Sequence, residues 1–161
     1  MGLGHTPPAA QRAAINIDAN PAGLGLPPGE GTYAEGAALY AQKCAVCHGA
    51  HGEGIGPYPK LVAVAPRPQF PFGIDPKIPK TIGNYWPYAT TVYDYIHRAM
   101  PYNAPGSLAP REVYSLTAFL LAENQVVPRT AVMNARTLPA VRMPQRDRFV
   151  RDDRTGGPVF R

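Results

Sequence analysis

Cysteine is nearly absent from this chain of 161 residues, which has only Cys44 and Cys47. That excludes a disulfide-stapled scaffold and any four-thiolate zinc or iron–sulfur site. No apolar run approaches the ~18 residues of a bilayer span, so no membrane crossing is expected. Charge of either sign is balanced over most of the length. Residues 1–127 carry eight Lys/Arg and eight Asp/Glu, while residues 128–161 carry eight Arg against three Asp and supply the whole net charge of +5. A folded basic face would draw its cations from the body of the domain, so nucleic acid is not an expected partner. The start of the chain lacks the basic and apolar segments of a secretory signal. No β-rich run stands out either.

Glycine and proline, in contrast, are plentiful at 36 residues, beside a 45% hydrophobic content that allows one modest core. Residues 1–30 read as an extended Pro/Gly-rich arm. A helix is expected over residues 33–47, opened by the capping box of Thr32 and Glu35 and carrying Ala37, Leu39, Tyr40, Ala41, Cys44 and Cys47 as an apolar stripe. Gly36 inside it costs roughly 1 kcal/mol against alanine, which implies close packing of a second helix. Residues 49–87 are broken by Gly and Pro with little period, so a ligand is expected to organise them. Residues 91–99 read as a second helix stopped by Pro101. Residues 110–123 read as a third, with Pro110 at its first turn, Glu112 near its positive end, and Val113, Leu116, Thr117, Leu120 and Leu121 on its apolar face. Ala109 is a poor cap, which predicts fraying. Residues 128–161 read as an Arg-rich extension, either solvated and disordered or, the favoured reading, wrapping a partner with Val141, Phe149, Val150 and Phe160 as anchors.

Cys44-Ala45-Val46-Cys47-His48 is the C-x-x-C-H signature of covalent haem attachment. Two sulfurs three residues apart on a helix end can reach two vinyl groups, and the adjoining imidazole of His48 can bind the iron. A thioredoxin-like pair would need a preceding strand, and a zinc site would need a fourth ligand, for which His51 stands too near His48. A second axial ligand is needed for electron transfer. Met100, placed between a helix and the turn at Pro101, is the expected choice over Met133, Met143, His97 and His51.

Over residues 31–127 the chain resembles class I c-type cytochromes. The resemblance implies an all-α fold of three to four helices around one covalent haem, with extended N- and C-terminal arms. Gly36 and Tyr40 match the family's helix crossing, with Tyr114 and Phe119 as candidate partners on the last helix. Pro59-Lys60-Leu61 resembles the family's Pro-x-Leu, whose proline carbonyl accepts a hydrogen bond from the histidine ligand. A narrower resemblance, to the cytochrome subunits of bacterial sulfite and sulfane dehydrogenases, rests on the stretches 80–101, 103–121 and 143–149. Two-domain members of that family carry a second C-x-x-C-H, and this chain has one.

What the resemblance implies is one-electron transfer by haem c, with no catalysis by the chain alone. A molybdenum-cofactor dehydrogenase subunit would supply electrons, and a downstream c-type cytochrome would accept them. It also implies a periplasmic location, with a signal peptide already removed. Trp86, with Tyr85 and Tyr88, is a candidate either to hydrogen-bond a haem propionate or to pack against the macrocycle. A free shuttle to an oxidase, and a haem enzyme or gas sensor with an open axial site, are the competing functions.

Overall fold

In the computed structural model the described residues are 4–63, 72–150, 153 and 155. Helix α2 (Tyr33–Lys43) starts where the sequence predicts: Thr32 Oγ1 accepts from the Glu35 amide, and the Glu35 carboxylate accepts from the Thr32 amide. It ends earlier than expected. Cys44 leaves helical geometry at φ −120°, and a separate turn, α3 (Ala45–His48), follows it. Helix α4 (Ala89–Ala99) begins two residues before the predicted start, and α5 (Pro110–Glu123) has its predicted bounds. Alanine cannot cap α5 with its side chain. Glu112 compensates by reaching back to accept the Ala109 amide at 2.8 Å, which secures the end expected to fray.

The crossing of α2 and α5 is the centre of the fold. A Cβ on Gly36 would sit 1.9 Å from the Ser115 carbonyl oxygen and 2.8 Å from the Phe119 Cβ, so the two backbones meet at that glycine. Phe119 packs between Tyr40 and Tyr33, with ring centroids 4.8 and 5.4 Å away. Of the two candidate partners, Phe119 therefore serves the crossing. Tyr114 turns instead to α4, where its ring lies 4.5 Å from Tyr93.

Both ends of the chain differ from the sequence reading. The N-terminal arm contains a short helix, α1 (Ala9–Ile15), and then lies along α4 and α5. The Ala19 amide donates to Asp94, Arg98 pairs with Asp18 and Asp94, Thr90 donates to the Pro21 carbonyl, and Tyr114 to that of Pro27. The stretch 128–150, expected as a partner-wrapping extension, lies on the chain's own core. Strand β1 (Glu30–Thr32) pairs antiparallel with β2 (Val132–Asn134), setting Gly31 opposite Met133. Met133, Leu138 and Met143 are almost fully buried. The physical reason is hydrophobic: three large side chains spaced five apart are too many to leave in water. The remaining tail arginines Arg151, Arg154 and Arg161, and the anchor Phe160, lie outside the described residues, as do residues 64–71. The fold is all-α, with this two-stranded ribbon as its one β element among the described residues.

Two stability outcomes follow from this packing. Gly36→Ala forces α2 off α5 and should cost at least ~1–3 kcal/mol, read as a lower denaturant midpoint. Leu138→Ala should cost ~2–5 kcal/mol in the same assay, because its side chain is fully enclosed. An exposed, partner-dependent tail would instead leave the isolated chain's midpoint unchanged.

Candidate functional site

The end of α2 and the turn α3 place Cys44, Cys47 and His48 together. The Cys44 amide still donates to the Tyr40 carbonyl, while the amides of Cys47 and His48 both donate to the Cys44 carbonyl, at 3.1 and 2.9 Å. That tight turn sets the two sulfurs three residues apart on one side. Gly49, at φ +81°, ends the turn, and its carbonyl is held by the buried Tyr40 hydroxyl at 3.0 Å. Both cysteines are free and half-buried. Burial pushes the Cys44 thiol up to about 11, so it is neutral at physiological pH. A neutral thiol is a slow partner in disulfide exchange. Among the described residues no group of three or more His, Cys, Asp or Glu is arranged to hold a metal ion, so Cys44, Cys47 and His48 do not converge on one as a zinc site requires.

His48 is buried, and its Nδ1 lies 2.9 Å from the Pro59 carbonyl oxygen. Because a carbonyl only accepts, Nδ1 carries the proton, and the lone pair of Nε2 is left available. The loop bringing Pro59 there folds on Gly52, whose carbonyl accepts the amides of Leu61 and Val62 at 2.8 and 3.1 Å. Gly52 sits at φ +76°, and a Cβ there would strike the Val62 side chain.

Met100 follows α4 directly, and its amide donates to the Ile96 carbonyl. It is half-buried and packs against the core. Met133 and Met143 are committed to the core at 3% and 2% exposure. His97 packs beside Tyr93, and His51 is exposed with its amide on Glu53. Trp86 meets Tyr95 edge-on at 5.8 Å. Tyr85 stacks on Phe72, and the C-terminal segment engages both neighbours of Trp86, with Phe149 against Tyr85 and Arg146 over Tyr88. Among the described residues no hydrogen bond or ring contact joins Met100 or Trp86 to His48 and Pro59.

Sequence reasoning missed the buried polar residues. Thr81 and Asn84 bond each other's amides, and Asn124, just past α5, is wholly enclosed. Tyr93 Oη and Gln145 Oε1 are the buried side-chain atoms without a partner among the described residues. An asparagine directly after a helix was the one available sign of this class. Two free thiols on one turn, beside an imidazole whose Nδ1 is held by the Pro59 carbonyl, form a donor set that fits covalent haem.

The Cytochrome c family matches residues 33–123. One chain of the crystal structure of the sulfane dehydrogenase SoxCD from Paracoccus pantotrophus is 36% identical, with a TM-score of 0.81 over 99% of this chain and 80% of that one. A chain of the thiosulfate dehydrogenase TsdBA from Marichromatium purpuratum is 27% identical, with a TM-score of 0.41 over 57% of this chain and 18% of that one. The search of curated proteins matched nothing. With its family match over more than half its length, this chain belongs to the cytochrome c family and is an electron carrier with covalent haem c.

Proposed function

We propose that this cytochrome is a periplasmic one-electron carrier that accepts electrons from a molybdenum-cofactor sulfite or sulfane dehydrogenase subunit and passes them to a downstream c-type cytochrome. The observation that carries the reading is the 36% identity to a sulfane dehydrogenase chain over 99% of this chain, both arms included. No helix among the described residues is long and apolar enough to cross a membrane.

Covalently held haem c supplies the one-electron Fe(III)/Fe(II) couple. Cys44 and Cys47 would tether it through thioethers, and His48 Nε2 and the Met100 thioether would hold its iron. The Pro59 carbonyl fixes the tautomer and plane of His48 and adds basicity to it. A thioether ligand paired with the imidazole would favour the reduced state and raise the potential. Trp86 would either hydrogen-bond a propionate of the group or pack against its ring. With both ligands in place no position would remain for oxygen or a substrate, and electron transfer would be the chain's own part in the reaction. Residues 151–161 supply further arginine for contact with the dehydrogenase subunit.

Two measurements test these roles. In the oxidised protein, Met100→Ala should abolish the long-wavelength sulfur-to-iron absorption band and lower the potential by roughly 0.2 V, within the ~0.8 V range that axial ligands span. An unchanged spectrum and potential would remove Met100 from the ligand set. The partner is tested by stopped-flow reduction with a molybdenum sulfite or sulfane dehydrogenase, comparing the full chain with residues 1–150. The shortened chain should be reduced about tenfold more slowly at low salt, with the difference shrinking as salt screens the contact. Equal rates at every salt concentration would favour a free shuttle.

A further inference from the structure

We infer that Asn124 is a positioning residue for His48, acting through the backbone that presents the Pro59 carbonyl. The inference rests on His48 being an iron ligand.

Asn124 follows α5 and has no exposed surface. An enclosed carboxamide must find its partners within the chain. It finds all four that it can make. Oδ1 accepts from the amides of Ala63 at 3.1 Å and Gly83 at 2.9 Å, while Nδ2 donates to the carbonyls of Leu61 at 3.2 Å and Leu120 at 2.8 Å. Only the Leu120 bond belongs to the helix end. The other three reach away from α5, two to the segment just after Pro59 and one to the segment leading into Trp86. The Ile82 amide also donates to the Leu61 carbonyl, at 3.1 Å, which ties those two segments to each other. Gly83 is needed for this close approach, since a Cβ there would lie 2.7 Å from Asn124 Oδ1 and 2.9 Å from the Ala63 carbonyl oxygen.

What makes this more than a helix end is the surface character of the loop it holds. From Ile55 to Lys60 every residue is exposed, and the ring contact made there, Tyr58 edge-on to His48 at 6.5 Å, falls on the imidazole and leaves the direction of the Pro59 carbonyl to the backbone. The carbonyl is located by its flanks. One anchor is the Gly52 carbonyl, which takes the amides of Leu61 and Val62. The other is Asn124, which grips Leu61 and Ala63 from the core side. A rigid carbonyl at 2.9 Å holds the imidazole proton, and with it the ring plane and donor strength of Nε2. Releasing the core-side anchor lets that carbonyl drift and weakens its bond to Nδ1–H. A less basic imidazole stabilises the oxidised iron less, so the potential moves up.

The test uses the mature haem-loaded full chain in four forms: wild type, Asn124→Ala, Asn124→Asp and Leu138→Ala. Leu138→Ala is the control for lost stability alone. Three quantities are read: deuterium exchange of the hyperfine-shifted His48 ring N–H in the oxidised protein, exchange of the Ala63 and Gly83 amides, and the reduction potential. Asn124→Ala should accelerate ring N–H exchange at least tenfold, deprotect both amides and raise the potential. Asn124→Asp keeps both acceptor bonds and should return ring exchange part of the way to the wild-type rate. Leu138→Ala should leave ring exchange and potential unchanged. The inference is overturned if Asn124→Ala (or Asn124→Asp, should the alanine variant not mature) matches wild type in ring exchange and potential. It is equally overturned if Leu138→Ala reproduces the effect. A wild-type protein lacking a histidine-ligated haem signal would instead overturn the ligand assignment.

Discussion

Everything else in this molecule depends on the contact between two helix backbones at Gly36. With no Cβ in the way, α2 rests directly on the Ser115 carbonyl of α5, and Phe119 fills the space between Tyr33 and Tyr40. Gly31 repeats the device one turn earlier, where a Cβ would lie 2.1 Å from the Ser115 amide. Two glycines five residues apart thus seat both the helix and the strand before it on the same residue of α5. The C-terminal turn of α2 then has a defined position, and Cys44, Cys47 and His48 inherit it. Glu35 reinforces the seat by accepting from Ser115 Oγ at 3.1 Å while pairing with Arg111, and the Arg111 bond holds its carboxyl below the ordinary range.

From that crossing outward, the means of holding the chain change from packing to hydrogen bonds. The helices are held by enclosed side chains: all of α5 from Val113 to Ala122 is buried. The connections between them contain too much glycine and proline to pack in this way. They are fixed at a few polar points instead, including the Gly52 carbonyl, the Thr81–Asn84 exchange and the four bonds of Asn124. A loop anchored at points presents backbone carbonyls accurately while its own side chains stay in water. That is what the Pro59 carbonyl requires, because its partner is a ring nitrogen and its neighbours along the chain are exposed.

The two arms close the structure without adding a second core. The N-terminal arm is tied to α4 and α5 largely by polar contacts, with Arg98 bridging Asp18 and Asp94. The C-terminal segment is tied by apolar ones. It then lays Arg146 over Tyr88 and Phe149 against Tyr85, so that its cations stand on aromatic faces beside Trp86. Cation–π contacts of this kind are worth about 0.5–1 kcal/mol each at exposed sites. The basic charge is therefore attached to the folded body through residue 148.

Local chemistry was legible in the sequence. The C-x-x-C-H turn, the Thr32–Glu35 box, the bounds of α5 and the meaning of Gly36 each depend on residues within one or two turns of each other, and their physical signal is complete at that range. Pro59 was legible only through resemblance, since nothing local announces which carbonyl will meet a ring eleven residues away. The ribbon, the burial of Met133, Leu138 and Met143, and the role of Asn124 were decided by tertiary structure. A three-residue strand with one inward side chain has no alternation to read, and core residues spaced five apart match neither helical nor strand period. Asn124 has a partner 63 residues away in sequence, and only the closing of α5 against the loop reveals that its amide is fully used.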